Sequence, residues 1–204
     1  MRHTFRSLAK SPGFTATALA TLAICLAANL TIFAVVDAIV LRPLPFPDSD
    51  RLFTLTNSYP VAGVGRSMAS ITNYFERRHA IPALSSVSLM RDDSTIVGEK
   101  GSPNRVPIGR VTPEFFATLG VQLALGHAFT DAELTYQTDQ VAVLTDSFWR
   151  THFHADPAIV GSTFFNDGLP IRIIGGLPPS FRFLSSRAQL FRPLSHEPSD
   201  RQPA

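Results

Sequence analysis

Residues Phe14–Val36 read FTATALATLAICLAANLTIFAVV, a run of 23 residues without a charge. A bilayer hydrocarbon core needs about 20 mostly apolar residues as helix, and this run contains neither Pro nor Gly. Thr15, Thr17, Thr21 and Thr31 can return their hydroxyls to the preceding turn, which makes them tolerable in lipid. Asn29 is the one strongly polar residue near the middle. It is expected to make an interhelical hydrogen bond worth about 1 kcal/mol, with a partner-free Asn on a small-residue face as the alternative. A cleaved signal peptide has a shorter core, roughly 7–15 residues, and a small-residue cleavage site. The following DAIVLRPLPFP offers no such site. A buried soluble helix is normally amphipathic, whereas this run is apolar nearly all round. The reading is a transmembrane helix.

Charge placement sets its orientation. Arg2, Arg6 and Lys10 precede the run with no acid among residues 1–36, so the positive-inside rule places the N-terminus in the cytoplasm. Everything after Leu41 then lies outside the inner membrane. Residues 42–204 carry fifteen Arg/Lys against fifteen Asp/Glu. The basic pI of about 9.0 therefore comes from the short arm. No basic patch on the folded part suggests a nucleic-acid partner; the expected partner of the arm is the lipid bilayer. With 45% hydrophobic and 17% charged residues in 204, disorder is excluded. A single cysteine, Cys25, excludes a disulfide framework; within the membrane run it is read as inert.

After the run, Arg42-Pro43-Leu44-Pro45-Phe46-Pro47 reads as a stiff exit, because Pro cannot continue a helix and holds the preceding residue extended. Short strands then alternate with short helices. Strands are expected at 52–57, 84–90, 94–97, 105–111, 141–144, 163–165 and 171–174, and a loop at 58–66; after Pro178–Pro179 come the apolar segments 181–183 and 190–194. Ser70 is expected to cap a helix reaching His79. Thr112-Pro113-Glu114 reads as a helix start with Gly120 as its stop. Thr130 and Glu133 resemble a capping box. Thr145 or Asp146 caps a helix through Phe153, and Asp156 opens a short turn. Asn166-Asp167-Gly168 is a strong hairpin signal. The pattern indicates a small α+β domain behind one helix. The divisions are a basic arm at 1–13, a transmembrane helix at 14–41, a proline-rich exit at 42–51, the α+β domain at 52–195 and a tail at 196–204.

Little in this domain points to chemistry. No phosphate-binding G-x-x-x-x-G-K-[ST] occurs. Ser147 and Ser162 lack a nucleophile elbow. His152 and His154, two apart on a helix, fall on different faces; with Asp146 or Asp156 they would make a metal set, but a solvated helix end is the favoured reading. His79, His127 and His196 are isolated. Asp92–Asp93 reads as a turn rather than as catalytic carboxylates. Trp149, Phe148 and Phe153 read as core, with an exposed aromatic patch as the alternative. No catalytic, cofactor or metal residue is assigned, no cofactor is expected, and the chain is read as no enzyme.

An ordered series of motifs resembles a known family. Leu8-Ala9-Lys10-Ser11-Pro12-Gly13-Phe14-Thr15, Ala28-Asn29, Ile32-Phe33 and 41–47 resemble the entry of acidobacterial ABC-type permeases of the duplicated orphan class. Thr112-Pro113-Glu114-Phe115-Phe116, Leu119-Gly120-Val121, 125–129, 156–161 and 178–183 are similar to the start of the periplasmic core domain of MacB/FtsX-like ABC transporter permeases. The resemblance covers residues 10–195. It implies a cell inner-membrane transport component in which helices carry nucleotide-driven motion to the periplasmic domain. A separate ABC ATPase and a permease paralogue are the implied partners. In that family three more transmembrane helices follow a larger core domain; this sequence stops at Ala204 without a second long apolar run. A truncated paralogue or N-terminal fragment with a partial core domain is the resulting expectation. The alternative is a single-pass interaction module that pairs with a full-length permease and transports nothing itself, with Asn29, Ala23, Ala27 and Ala28 as its helix-pairing face. A partial domain would also leave an apolar face, expected at Phe181, Phe183, Leu190, Phe191 and Leu194, and promote self-association; the alternative is a lobe complete in itself, which covers them.

Overall fold

The computed structural model describes residues 12–38, 44–60, 63–78, 80–98, 103–183 and 186–195. The basic residues Arg2, Arg6 and Lys10, together with His79, His196 and the tail, lie outside them. The chain divides into two compact units, 1–44 and 45–204.

The first unit contains α1, Pro12–Val36, 25 residues with none buried. At 1.5 Å per residue it is about 37 Å long, enough to cross a hydrocarbon core of about 30 Å. It is the one helix among the described residues that is long and apolar enough to do so. Its hydroxyls are satisfied within the helix: Thr17 donates to the Gly13 and Phe14 carbonyls, Thr21 to Thr17 and Thr31 to Ala27. Asn29 behaves the same way, its Nδ2 donating to the Cys25 carbonyl at 3.0 Å. Regular α-helix runs to Val36 and a π-helical turn follows at 37–38; residues 39–41 of the expected span lie outside the described residues.

The second unit is built on a sheet that closes on itself. Its strands are β3 (Met90–Val97), β4 (Asn104–Val111), β5 (Leu125–Gly126), β6 (Val141–Leu144), β7 (Thr163–Asn166), β8 (Leu169–Gly176) and β9 (Leu190–Pro193). They follow the order β5-β8-β6-β9-β4-β3-β7, and β7 also pairs with β8. Six strands therefore form a ring. Its seam is the pair Val97↔Asn166, flanked by amide bonds from Gly98 to Phe165 and from Asp167 to Ile96. Two pairings are parallel, β4 with β9 and β6 with β8. Asp167 and Gly168 sit at φ 50° and 76°, the positive-φ pair of a tight two-residue hairpin turn. A separate antiparallel hairpin joins β1 (Asn57–Tyr59) and β2 (Val64–Ser67). It is followed by α2 (Ile71–Arg77), with Ser70 as N-cap in a reciprocal bond with Asn73.

Two apolar cores lie on the two faces of the ring. The inner core takes Val97, Val106, Ile108, Ala142, Leu144, Phe164, Ile171, Ile173 and Leu190 from all six strands. Phe148 of α4 (Asp146–Phe153) enters it, so α4 stops one end of the barrel. The outer core covers β4, β6, β8 and β9 with Val111, Val141, Val143, Ile174 and Phe191. Phe115 and Phe116 of α3 (Phe115–Thr118), Phe46, Phe129 and Phe181 pack against them. Helix α3 ends in a Schellman arrangement: Gly120 at φ 66° donates to Ala117 O, and Val121 donates to Phe116 O. Gly109 permits the close approach of Phe191, since a Cβ there would lie 2.6 Å from two ring carbons.

Several expectations need correction. Residues 52–56 form no strand, and the expected loop contains instead the paired strands β1 and β2. Asp92–Asp93 is not a turn; both residues lie inside β3, which runs unbroken opposite β4, while 84–89 stay outside it. Thr112 is not an N-cap, because its Oγ1 accepts from the Leu89 amide at 3.0 Å and Glu114 occupies the cap position of α3. The supposed apolar face is core: Phe181, Leu190, Phe191 and Leu194 are buried, and Phe183 packs against that core half-buried. β9 sits in the middle of the sheet between β4 and β6, so it offers no free edge to another chain.

Candidate functional site

The residues weighed as sites in the sequence are scattered by the fold. His152 stacks on Phe148, ring centroids 4.5 Å apart. His154 is the left-handed cap ending α4. Asp146 is paired with Arg150 at 2.9 Å, and Asp156 accepts from the Ala158 amide. Trp149 Nε1 donates to the Asp156 carbonyl, and Trp149 packs with Phe153 against the inner core. His127 pairs with the Ala128 carbonyl, and Ser162 Oγ donates to Ile159 O. Ser147 is exposed on α4. Cys25 is a free thiol on α1. Among the described residues no group of three or more His, Cys, Asp or Glu is placed to hold a metal.

Polar side chains gather instead at the barrel end opposite α4, where β4 and β9 finish, β6 begins and β7 turns into β8. Arg110 Nε donates to Asp93 Oδ2 at 2.9 Å. That hydrogen bond, more than the nearby backbone amide and guanidinium charges, holds the Asp93 carboxyl below its usual range against the opposing effect of burial. Arg192 is 6% exposed. Its Nη2 donates to the Asp139 carbonyl at 3.2 Å and lies 3.8 Å from Asp139 Oδ2. Burial, then the like charge of Arg110, pushes the Arg192 pKa down. Thr95 Oγ1 touches both Asn166 Oδ1 and Asp167 Oδ2, the latter at 2.5 Å. The buried Asn166 Nδ2 is unpaired. Turning the Asn166 amide over lets Nδ2 donate to Thr95 while Thr95 donates to Asp167, and the network closes. The sequence carried one signal of this cluster: Arg192 interrupts the apolar run Leu190–Leu194, where an arginine must be buried beside a counter-group.

A second polar cluster ties α2 to the barrel unit. Tyr74 OH donates to Glu114 Oε2 at 2.6 Å; burial, then this bond, raises the Tyr74 pKa. Arg78 bridges Glu114 and Asp131, the latter at 2.8 Å. Arg77 donates to Asn57 at 2.6 Å, and Asn57 to Asn73, so the β1–β2 hairpin, α2 and the start of α3 are clamped together. A cavity of about 210 Å³ opens between Pro45–Pro47, Gly120–Gln122 and Pro178–Phe181. Its lining is mainly proline and phenylalanine, with Gly120, Val121, Gln122 and Ser180, and includes no titratable group.

This architecture, an apolar helix followed by a sheet-rich α+β unit, meets a family match over residues 15–201: the MacB-like periplasmic core domain. The chain belongs to that family. It is a domain of ABC transporter permeases, and the match takes in nearly all of α1 as well as the barrel unit. Among solved structures, the periplasmic region of MacB from Actinobacillus actinomycetemcomitans is similar at 21% identity and TM-score 0.47, covering 72% of this chain and 59% of that one. The extracellular domain of the noncanonic ABC-type transporter YknZ from Gram-positive bacteria is similar at 12% identity and TM-score 0.45, covering 60% of each chain. A domain of a permease protein from Porphyromonas gingivalis is similar at 15% identity and TM-score 0.42, covering 64% of this chain and 54% of that one. The chain thus spans about three fifths of the length of these structures or less. No curated protein matches it in sequence.

Proposed function

We propose that the chain is a membrane-anchored, non-enzymatic permease component of a MacB-like ABC-type transport or mechanotransmission system. In this reading α1 crosses the inner membrane once, with the basic arm in the cytoplasm and the barrel unit outside. The transmembrane division runs over 14–41, the proline-rich exit over 42–51 and the core domain over 52–195. The observation that carries the reading is the family match running through α1 into the barrel, with α1 apolar on every side and burying nothing in its own chain. A helix of that kind has lipid or another apolar helix as its only stable surroundings.

Energy would come from elsewhere. The sequence holds no phosphate loop. A separate ABC ATPase and a permease paralogue are the partners this reading requires. The test is to express the tagged full chain beside such a paralogue, extract the membranes with alkali, and crosslink before solubilisation. The chain is expected to remain in the membrane pellet and to crosslink to the paralogue. Release by alkali would contradict the anchor, and a stable pellet without any crosslink would contradict the partnership.

A further inference from the structure

We propose that Arg91, Arg110 and Arg192 form a carboxylate-binding row at the end of the barrel opposite α4. The strand register sets them side by side: Arg91 on β3 faces Arg110 on β4, and Arg110 faces Arg192 on β9. Directly paired residues leave the same face of a sheet about 5 Å apart, and like charges so placed repel. The charge of Arg110 is one of the causes depressing Arg192.

The carboxylates already present do not complete the row. Asp93 is taken by Arg110 Nε. Asp139 Oδ2 lies 3.8 Å from Arg192, beyond hydrogen-bonding distance. Asp167 is occupied by the Ile96 amide and the Thr95 hydroxyl. The Arg192 Nε, buried, has no partner, and an unmade bond on a buried cation is costly. Exposure rises along the row: Arg192 is buried, Arg110 half-buried and Arg91 exposed. Guanidinium donors thus lead from the surface down to an unsatisfied buried one.

A carboxylate matches this geometry, because its two oxygens lie in one plane and accept the parallel donors of a guanidinium fork. A phosphate dianion is disfavoured, since it concentrates two charges on one group beside Asp93, Asp139 and Asp167, which lie near enough to Arg192 to act on its charge, whereas each carboxylate of an organic acid brings only one. The carboxylate belongs either to a small free acid or to an acidic segment of a partner outside the membrane. The inference rests on the barrel alone and stands apart from the membrane reading.

The test is calorimetric titration of the full chain in detergent micelles at low and high salt. The probes are succinate, a short poly-glutamate peptide, its poly-glutamine counterpart and inorganic phosphate. Arg91→Gln, at an exposed position that leaves the core intact, is the diagnostic variant; Arg192→Met probes the buried end. Binding of succinate or poly-glutamate is expected, weaker in salt and weakened about tenfold by Arg91→Gln through loss of one charge-assisted fork. Succinate binding points to a free acid as ligand, and poly-glutamate binding without succinate binding points to an acidic partner segment. Absence of binding by both, an affinity unchanged in Arg91→Gln, equal binding of poly-glutamine, or phosphate binding as tight as succinate would each overturn the assignment.

Discussion

Replacing Phe191 by Ala tests the packing of the barrel unit at its centre. Phe191 is 1% exposed. Its ring lies 6.0 Å from that of Phe115, 5.5 Å from Phe116 and 5.7 Å from Phe181, and it fills the space that Gly109 leaves open. Truncation of a buried Phe costs about 3–5 kcal/mol from lost transfer energy and the cavity left behind. The upper half applies here, because the ring's neighbours come from three different segments and cannot collapse together. For a unit of this size about 2–4 °C of melting temperature is lost per kcal/mol, so a fall of about 8–20 °C is expected. The assay is near-ultraviolet circular dichroism of the full chain in detergent on heating, with Phe53→Ala as control. Phe53 is 76% exposed, and its removal should stay within about 0.5 kcal/mol of the parent. Equal melting shifts in the two variants, or a Phe191→Ala shift under about 2 °C, would refute the closed-barrel account of β9 and revive an exposed C-terminal apolar face.

Further outcomes follow from single positions. Gly126→Ala should cost several times more than Gly63→Ala in the same melting assay. Both glycines sit near φ 67–69°, but a Cβ at Gly126 would lie 2.0 Å from the Ile174 carbonyl oxygen while Gly63 faces open space; strain alone accounts for about 1 kcal/mol at the latter. The depressed pKa of Asp93 means that its contribution is present above the unfolded carboxyl range and lost as pH falls through the lower folded value. Melting temperature should therefore drop in acid below about pH 4, and part of that drop should vanish in Asp93→Asn. Tyr74→Phe removes the hydroxyl that donates to Glu114 and should cost about 1.5–3 kcal/mol, read by chemical denaturation.

Local signals in the sequence were legible wherever one residue's chemistry decides the backbone. Ser70 caps α2, Thr145 caps α4, Gly120 ends α3 and Asp167–Gly168 turns the hairpin, each because its side chain, or the lack of one, selects a conformation. What stayed hidden was non-local. The partnership of β4 with β9 joins Ile108–Val111 to Leu190–Pro193, and nothing in either stretch announces the other. For the same reason Phe181, Phe183 and the residues of β9 read as an exposed face: their apolar character was visible, but not the ring that buries them. Asp92 and Asp93 suggested a turn because aspartate is unfavourable in strands. Arg110 from β4 meets Asp93, and Ser186 donates to Asp92 at 2.7 Å, so distant partners reverse the local preference. LFTLTN failed in the opposite sense. It alternates like a strand, yet Phe53 and Leu55 are exposed, and residues 52–56 find no partner strand. The arginine row was hidden too, since register, not spacing along the chain, makes it.

The central claim is that α1 crosses the membrane and holds the barrel unit outside. It is tested most directly by placing a single cysteine at Ser147, exposed on α4, in a Cys25→Ser background and treating intact spheroplasts with a membrane-impermeant maleimide. The account predicts labelling of intact spheroplasts as complete as that of lysed ones. Labelling that requires lysis would place the barrel in the cytoplasm and contradict it.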